Sequence, residues 1–269
     1  MIGAIGIGNI GSIIIDRLLE SGKFAPEEII IFDRSAEKTL RFKPHGVIIA
    51  SSGAEVCERS SFVFLAVKPQ DAGDLFDQIS RVDFSEKVII STMTGISMER
   101  ISRNLGANKI VRIMPNVPCA VGRGVIGVTY SEAVSKEEFE MVENILSPLG
   151  KIVKVREKDF AAVTALSGSG PAFVFVVVEA LIDSGLRMGL SYDVSRELIL
   201  ETLKGSAELL QIRGNHPGEF RHLVTSPGGT TIEGIYSLER EGLRGALMKA
   251  LFDTYERAKE FEELRNDEE

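Results

Sequence analysis

MIGAIGIGNIG, residues 1–11, decides how the chain is read. The apolar run at 2–7 has the length and composition of a strand. It breaks into Gly6-Ile7-Gly8-Asn9-Ile10-Gly11, and Ile13, Ile14, Leu18 and Leu19 follow at helical spacing. Strand, glycine turn and helix together form the context that gives a GxGxxG pattern its meaning. Gly6 permits the tight turn, Gly8 lets the backbone approach a pyrophosphate, and Gly11 lets the helix pack closely on the strand. The helix N-terminus adds free N–H groups and a partial positive charge for the phosphates. The plainer reading is a glycine-rich turn with no ligand; the flanking strand and helix favour nucleotide binding.

Outward from this stretch, strand and helix signals alternate, which predicts a parallel sheet covered on both faces. Strands are expected at 2–6, 29–32, 47–49, 62–67, 88–90 and 110–114. Helices are expected at 9–21, 72–79 and 98–105, the last capped by Ser97. Strands at 124–130 and 151–155 flank a helix at 136–146. After about residue 156 the strand signals fade. Residues 171–188 are strongly apolar, with Glu179 and Asp183 as the only charges in the middle, and their length favours a helix over a strand. Helices follow at about 191–213, 231–240 and 242–264, and the tail 265–269 is expected to fray. The fold class is therefore α/β: an N-terminal Rossmann dinucleotide-binding domain at 1–155 and a C-terminal all-α dimerisation domain at 156–269. A helical domain of this size buries so apolar a helix only partly, and a second copy would cover the rest, which predicts a homodimer.

The 269 residues carry a net charge of −8, which argues against a general nucleic-acid binder. Cys57 and Cys119 have no metal-ligand spacing, so no metal site is expected. No charge-free apolar run reaches the ~18 residues of a membrane span, and no basic segment precedes the first apolar run. Neither a membrane nor an export signal is expected, and two cysteines fit a reducing cytoplasm.

In a doubly wound sheet, ligands bind at the carboxyl ends of the strands. The residues there are Gly6 to Gly11, Asp33-Arg34-Ser35, Ala66-Val67-Lys68-Pro69, Thr92-Met93-Thr94-Gly95 and Met114-Pro115-Asn116. Asp33 stands where an acid bonds the ribose hydroxyls of NAD, whereas Arg34 suits the 2′-phosphate of NADP. The residues alone leave both cofactors open. Lys68 is either a solvated charge at a strand end or a cofactor contact. His45, His216 and His222 form no catalytic constellation. Two turns in the helical half, 166–171 and 226–231, are read as helix starts whose amides and hydroxyls form anion sites fitting a small carboxylate.

These segments resemble one known family, the pyrroline-5-carboxylate reductases. The resemblance runs along nearly the whole chain, through GIGNIG at 6–11, FLAVKP at 64–69, RIMPN at 112–116, LSGSGPA at 166–172 and VTSPGGTTI at 224–232. The last two are the most specific. The resemblance implies hydride transfer from NAD(P)H to the C=N bond of 1-pyrroline-5-carboxylate, giving L-proline, with NADPH preferred and NADH possible. It implies an interlocked homodimer that can assemble further into a decamer. By position, Val67-Lys68-Pro69 and Met93-Thr94-Gly95 match cofactor loops. Glu157, Gly229, Thr230 and Thr231 match the substrate pocket, the backbone around Gly229 to Thr231 holding the carboxylate and the Thr231 hydroxyl lying near the ring nitrogen. Three positions depart from the family's habit. Gly53 stands where an asparagine is common, Thr92-Met93-Thr94-Gly95 replaces a small Ala-Ala-Gly stretch, and Val117 replaces Thr.

A protonated cyclic imine is already electrophilic, so positioning suffices and neither a covalent nucleophile nor a metal is required. The alternative is a reductase of the β-hydroxyacid dehydrogenase type, which uses a lysine on a helix early in its second domain; the corresponding segment 167–178 contains none. A non-catalytic dinucleotide-binding protein would need no turn like Gly229-Thr230-Thr231.

Overall fold

The computed structural model describes residues 1–266. Two compact units divide the chain: Met1–Pro171 with Thr254–Glu269, and Ala172–Asp253. Residues 156–171 and 254–266 thus pack with the sheet, although their composition reads as helical-domain sequence.

The first unit holds β1 (Ile2–Ile5), β2 (Ile29–Phe32), β3 (Ile48–Ile49), β4 (Phe62–Leu65), β5 (Val88–Ser91), β6 (Ile110–Met114), β7 (Gly124–Tyr130) and β8 (Gly150–Lys154). They form an eight-stranded sheet in the order β3-β2-β1-β4-β5-β6-β7-β8. Pairing is parallel from β3 to β6, antiparallel between β6 and β7, and parallel between β7 and β8. The expected parallel sheet holds for the first six strands. The link from β6 to β7 contains only the short 3-10 segment Val117–Val121, and a parallel return needs a crossover of a dozen or more residues.

β1, β2, β4, β5 and β6 are buried on both faces, so these strands read as nearly continuous apolar runs. Ile29, Ile31, Phe64 and Val111 face one core, while Ile30, Val63, Leu65 and Ile110 face the other. Each such side chain contributes about 1.5–3 kcal/mol of transfer free energy.

The helices over this sheet are α1 (Asn9–Ser21), α2 (Ala36–Leu40), α3 (Gly53–Arg59), α4 (Ala72–Ile79), α5 (Met98–Leu105), α6 (Lys136–Leu146) and α7 (Phe160–Val163). Sequence reading missed α2 and α3, which are too short to show helical periodicity. α3 nonetheless carries a start signal: the Ser52 hydroxyl accepts the Glu55 N–H at 3.1 Å, and the Glu55 carboxylate accepts the Ser51 N–H at 2.8 Å.

After α7 the helical run continues as a π-helical turn, Thr164–Gly168, and then α8 (Gly170–Arg187). It is followed by α9 (Tyr192–Arg213), α10 (Pro217–Leu223), α11 (Thr230–Arg240) and α12 (Leu243–Asn266). Of the tail expected to fray, Arg265 and Asn266 end α12, and 267–269 lie outside the described residues.

The second unit has almost no core of its own. Ile182, Gly185 and Ser195 are its only buried members among the described residues. Apolar side chains of α8 stand in the open, with Phe175 at 55 % and Val176 at 64 % exposure. By length and composition alone, the run Glu157–Arg187 is apolar enough to cross a membrane, in spite of its two central acids.

Candidate functional site

The glycine turn after β1 is built as its sequence demands. Gly6 has φ +94°, and a Cβ there would lie 2.6 Å from the Ala66 carbonyl. A Cβ on Gly11 would collide with the Gly6 carbonyl oxygen, so glycine at this point lets α1 close on the turn itself. Gly8 is the N-cap of α1 and supplies no side-chain cap, and a Cβ there would meet nothing within 4 Å. Uncapped first-turn amides and open space in front of them fit a pyrophosphate.

A cavity of about 330 Å³ opens at this turn. Gly6, Gly8, Asp33, Arg34, Ser35, Ala66, Val67 and Lys68 line it, as do Lys38, Asp71 and Asp74, which the sequence reading missed. Ile7, Asn9, Ile10 and Gly11 form the turn and the start of α1 behind the lining, and Pro69 begins the 3-10 segment Pro69–Asp71. Lys38 lies on α2, unseen from sequence, so no element placed it beside Asp33.

The Asp33 carboxylate is already engaged. Its Oδ2 accepts the Ile7 N–H at 2.7 Å, its Oδ1 accepts the Ser35 N–H at 2.8 Å, and Lys38 Nζ lies 3.3 Å from Oδ1. Asp33 therefore fastens the glycine turn to the end of β2. Arg34, more than half exposed, pairs with Asp71 at 2.6 Å and Asp74 at 3.7 Å. The lining thus sets Arg34, Lys38 and Lys68 against Asp33, Asp71 and Asp74, and of these Arg34 and Lys38 are the groups that suit a phosphate monoester.

Met93, Thr94 and Gly95 lie in a separate loop after β5 and do not line this cavity. The Met93 N–H donates to Ser91 Oγ at 3.2 Å, and Arg265 Nη1 donates to the Thr94 carbonyl at 2.9 Å. Next to the loop, Arg112 of β6 is buried and lies 4.5 Å over the Phe160 ring. It pairs with Glu157 at 2.7 Å and Glu262 at 3.5 Å. Glu157 Oε1 also accepts the Met98 N–H at 2.8 Å, at the first residue of α5. Burial pushes the Glu262 carboxyl up from its ordinary range, and Arg112 pulls it back. Two carboxylates and a planar guanidinium sharing hydrogen bonds keep this buried charge compensated.

The segment 166–171 is not the helix start expected from its glycines. It lies inside a helical run, where the Ser169 N–H donates to the Thr164 carbonyl at 2.8 Å across a π turn, so it offers no free first-turn amides for an anion. Pro171 has no N–H to return to the carbonyl four residues earlier, that of Ser167. Asn116 supplies the missing donor: its Nδ2 donates to the Ser167 carbonyl at 3.1 Å, while its Oδ1 accepts the Val125 N–H at 3.0 Å. Asn116→Ala is accordingly expected to cost about 2 kcal/mol of stability. In a Pro171→Ala background, where the backbone N–H regained at that position can donate instead, the cost should fall by about 1 kcal/mol. A denaturation cycle on the four proteins measures this; additive costs would disprove the substitution of one donor for the other.

In the second unit, the turn at 226–231 keeps its expected character. Gly228 has φ +65°, the Gly229 N–H donates to the Ser226 carbonyl at 3.1 Å, and Gly229 caps α11 with no side chain. The first-turn amides of this eleven-residue helix, beginning at Thr230 and Thr231, are left to bind an anion.

Both cysteines are free and buried; burial pushes the Cys57 thiol up to about 12 and the Cys119 thiol upward too. Neither suits nucleophilic chemistry.

Residues 157–261 match the family described as pyrroline-5-carboxylate reductase dimerisation, and residues 1–95 match NADP oxidoreductase coenzyme F420-dependent. The pyrroline-5-carboxylate reductase of Aquifex aeolicus is 40% identical over 259 residues, 96% of either chain. The chain belongs to the pyrroline-5-carboxylate reductase family. Its Pisum sativum relative is 33% identical, with 96% of this chain and 95% of that one covered. The crystal structure of Plasmodium falciparum pyrroline carboxylate reductase with NADP bound superposes with a TM-score of 0.90, at 31% identity and 97% coverage of both chains. The family's fold is thus an N-terminal α/β dinucleotide-binding part and a helical dimerisation part, as expected.

Proposed function

We infer that this chain is an NADPH-dependent reductase that adds hydride to the C=N bond of 1-pyrroline-5-carboxylate and yields L-proline. The observation that carries the reading is its end-to-end likeness to reductases of that name, 40% identical over 96% of the chain. When bound, NADPH supplies the hydride. The chain's own residues do the rest by positioning. The Gly6–Gly11 turn and the α1 amides hold the pyrophosphate, and Arg34, Ser35 and Lys38 take the 2′-phosphate. Val67-Lys68-Pro69 and Met93-Thr94-Gly95 are the further cofactor contacts. Gly229 and Thr230 bind the substrate carboxylate through backbone amides, and the Thr231 hydroxyl donates a hydrogen bond to the nitrogen of the neutral imine, passing its proton to that nitrogen as hydride reaches the adjacent carbon and regaining one from solvent. Glu157 belongs to the substrate side, its carboxylate fixed by Arg112 and the Met98 amide.

We place the functional boundary near residue 155, where the dimerisation match begins at 157. The apolar surface of α8 is proposed to be covered by a second copy and not by lipid. Glu179 and Asp183 support this, because each acid at a bilayer centre costs about 2.5–3.5 kcal/mol. The proposed assembly is a homodimer, with a decamer as its higher form. Two buried, free thiols support a cytoplasmic setting, and the net charge of −8 gives no footprint for nucleic acid.

Loss of NADPH absorbance on adding pyrroline-5-carboxylate is the expected result, with no NADP reduction across a panel of β-hydroxyacids. Oxidation of a hydroxyacid and silence with the imine would instead favour the β-hydroxyacid dehydrogenase alternative. NADPH binding with turnover of neither would favour a non-catalytic dinucleotide-binding protein.

A further inference from the structure

The loop 92–97 connects β5 to α5 and contains the three residues proposed to contact the cofactor after that strand. On its inner side the Thr92 N–H donates to the Leu65 carbonyl at 3.0 Å, and the Ile96 N–H reaches the Met93 carbonyl at 3.4 Å. Its outer side is held by the last turns of α12. Gly95, at φ +79°, lies flat against α12, and a Cβ there would stand 3.1 Å from the Phe261 carbonyl oxygen and 3.4 Å from Arg265 Cδ. Arg265 donates to the Thr94 carbonyl at 2.9 Å, and its guanidinium lies 4.8 Å from the centre of the Phe261 ring. One turn back, Glu262 joins Arg112, which reaches Glu157 and through it the Met98 N–H at the far end of the same loop. The last turns of α12 therefore hold the middle of the loop directly and reach its α5 end through Arg112 and Glu157. Glu262 and Arg265 lie beyond residue 261, where the match to the dimerisation family stops.

We propose that Arg265, with Gly95 seated against the Phe261 carbonyl, is a positioning element that sets the cofactor loop Met93-Thr94-Gly95 for NADPH. The proposal rests on the assignment of that loop to the cofactor. Arg265 touches no reacting atom; it acts through the Thr94 carbonyl, fixing a loop whose freedom would otherwise be lost on each binding event. Its contribution belongs in cofactor affinity and not in the chemical step.

The test uses the full chain with Arg265→Met, which keeps an unbranched aliphatic stem and removes the guanidinium with its donors, and Gly95→Ala, which pushes the loop off α12. NADPH dissociation is read directly by nucleotide fluorescence, alongside kcat and the imine KM at saturating NADPH, and the thermal midpoint. Arg265→Met is expected to weaken NADPH binding roughly fivefold, equivalent to about 1 kcal/mol. Gly95→Ala should weaken it roughly tenfold, since strain at positive φ adds to the lost contact. In Arg265→Met, whose side chain touches neither cofactor nor substrate, imine KM and kcat should stay within about twofold of the parent. Unchanged NADPH affinity in both variants overturns the proposal. So does a parallel loss in NADPH affinity, imine KM and thermal midpoint, which would mark a general structural role. A parent protein that binds no NADPH overturns the cofactor assignment as well, and that failure shows before any substitution is made.

Discussion

Thr231→Ala is expected to lower kcat roughly a hundredfold, in the range for loss of a positioned proton donor. Thr231 is the second residue of α11, directly after the uncapped Gly229 and Thr230, and its side chain is exposed in the second unit. As hydride arrives at the imine carbon, the C=N electron pair moves to nitrogen, and a hydroxyl aimed at that nitrogen gains strength in the transition state. A group that binds harder in the transition state than in the ground state acts on kcat. The backbone amides proposed to hold the carboxylate survive the substitution, so the imine KM should move less than about threefold.

Stability does not offer a competing explanation. Alanine is a better helix former than threonine by several tenths of a kcal/mol. The cavity proposed to hold NADPH is lined wholly by residues of the first unit, so the dissociation constant for NADPH should be unchanged. Thr231→Ser keeps the hydroxyl and should retain most of the turnover. Steady-state kinetics with both substrates, together with NADPH fluorescence titration, separates these quantities. Parent-like kcat in Thr231→Ala would remove the hydroxyl from the mechanism.

Much of the sheet was legible because its strands are buried on both faces and bounded by Gly, Pro and Ser. β2 and β6 fall at the expected residues for that reason, and α1, α4, α5 and α6 do so because their apolar residues recur at helical spacing. α2 and α3 were not legible by periodicity, since five and seven residues hold too few turns to show a stripe. That omission hid Lys38. Asp71 and Asp74 were hidden differently: nothing in local sequence marks an acid on a helix start as the partner of an arginine some forty residues earlier. The segment 166–171 misled for a third reason. Glycine and proline ordinarily punctuate a helix, but here Asn116, distant in sequence, supplies the donor that proline removes, so the helical run continues. The Arg112, Glu157 and Glu262 cluster joins a strand, a 3-10 turn and the last helix, and only the fold brings those charges together.

Asp33 and Arg34 side by side left NAD against NADP unresolved in the sequence, and the geometry separates their tasks. Asp33 spends its oxygens on the Ile7 and Ser35 amides and Lys38, whereas Arg34 and Lys38 stand at the cavity mouth as cations held by acids. The double substitution Arg34→Ala with Lys38→Ala should therefore lower kcat/KM for NADPH roughly a hundredfold, each charge-assisted phosphate bond counting for about 1.5 kcal/mol. The lower end of the usual range is taken because Arg34 is more than half exposed and must leave Asp71 to meet the phosphate. With NADH, which has no 2′-phosphate, kcat/KM should change less than about threefold. Added salt should narrow the gap between the two cofactors in the parent, since screening at physiological ionic strength acts over about 8 Å. Parallel assays with both cofactors decide the matter. An equal loss with NADH would mean that the cations hold the cavity together instead of reading the phosphate. Asp71→Asn supplies an independent check, because it releases Arg34 from its resting partner and should tighten NADPH binding while leaving NADH binding alone.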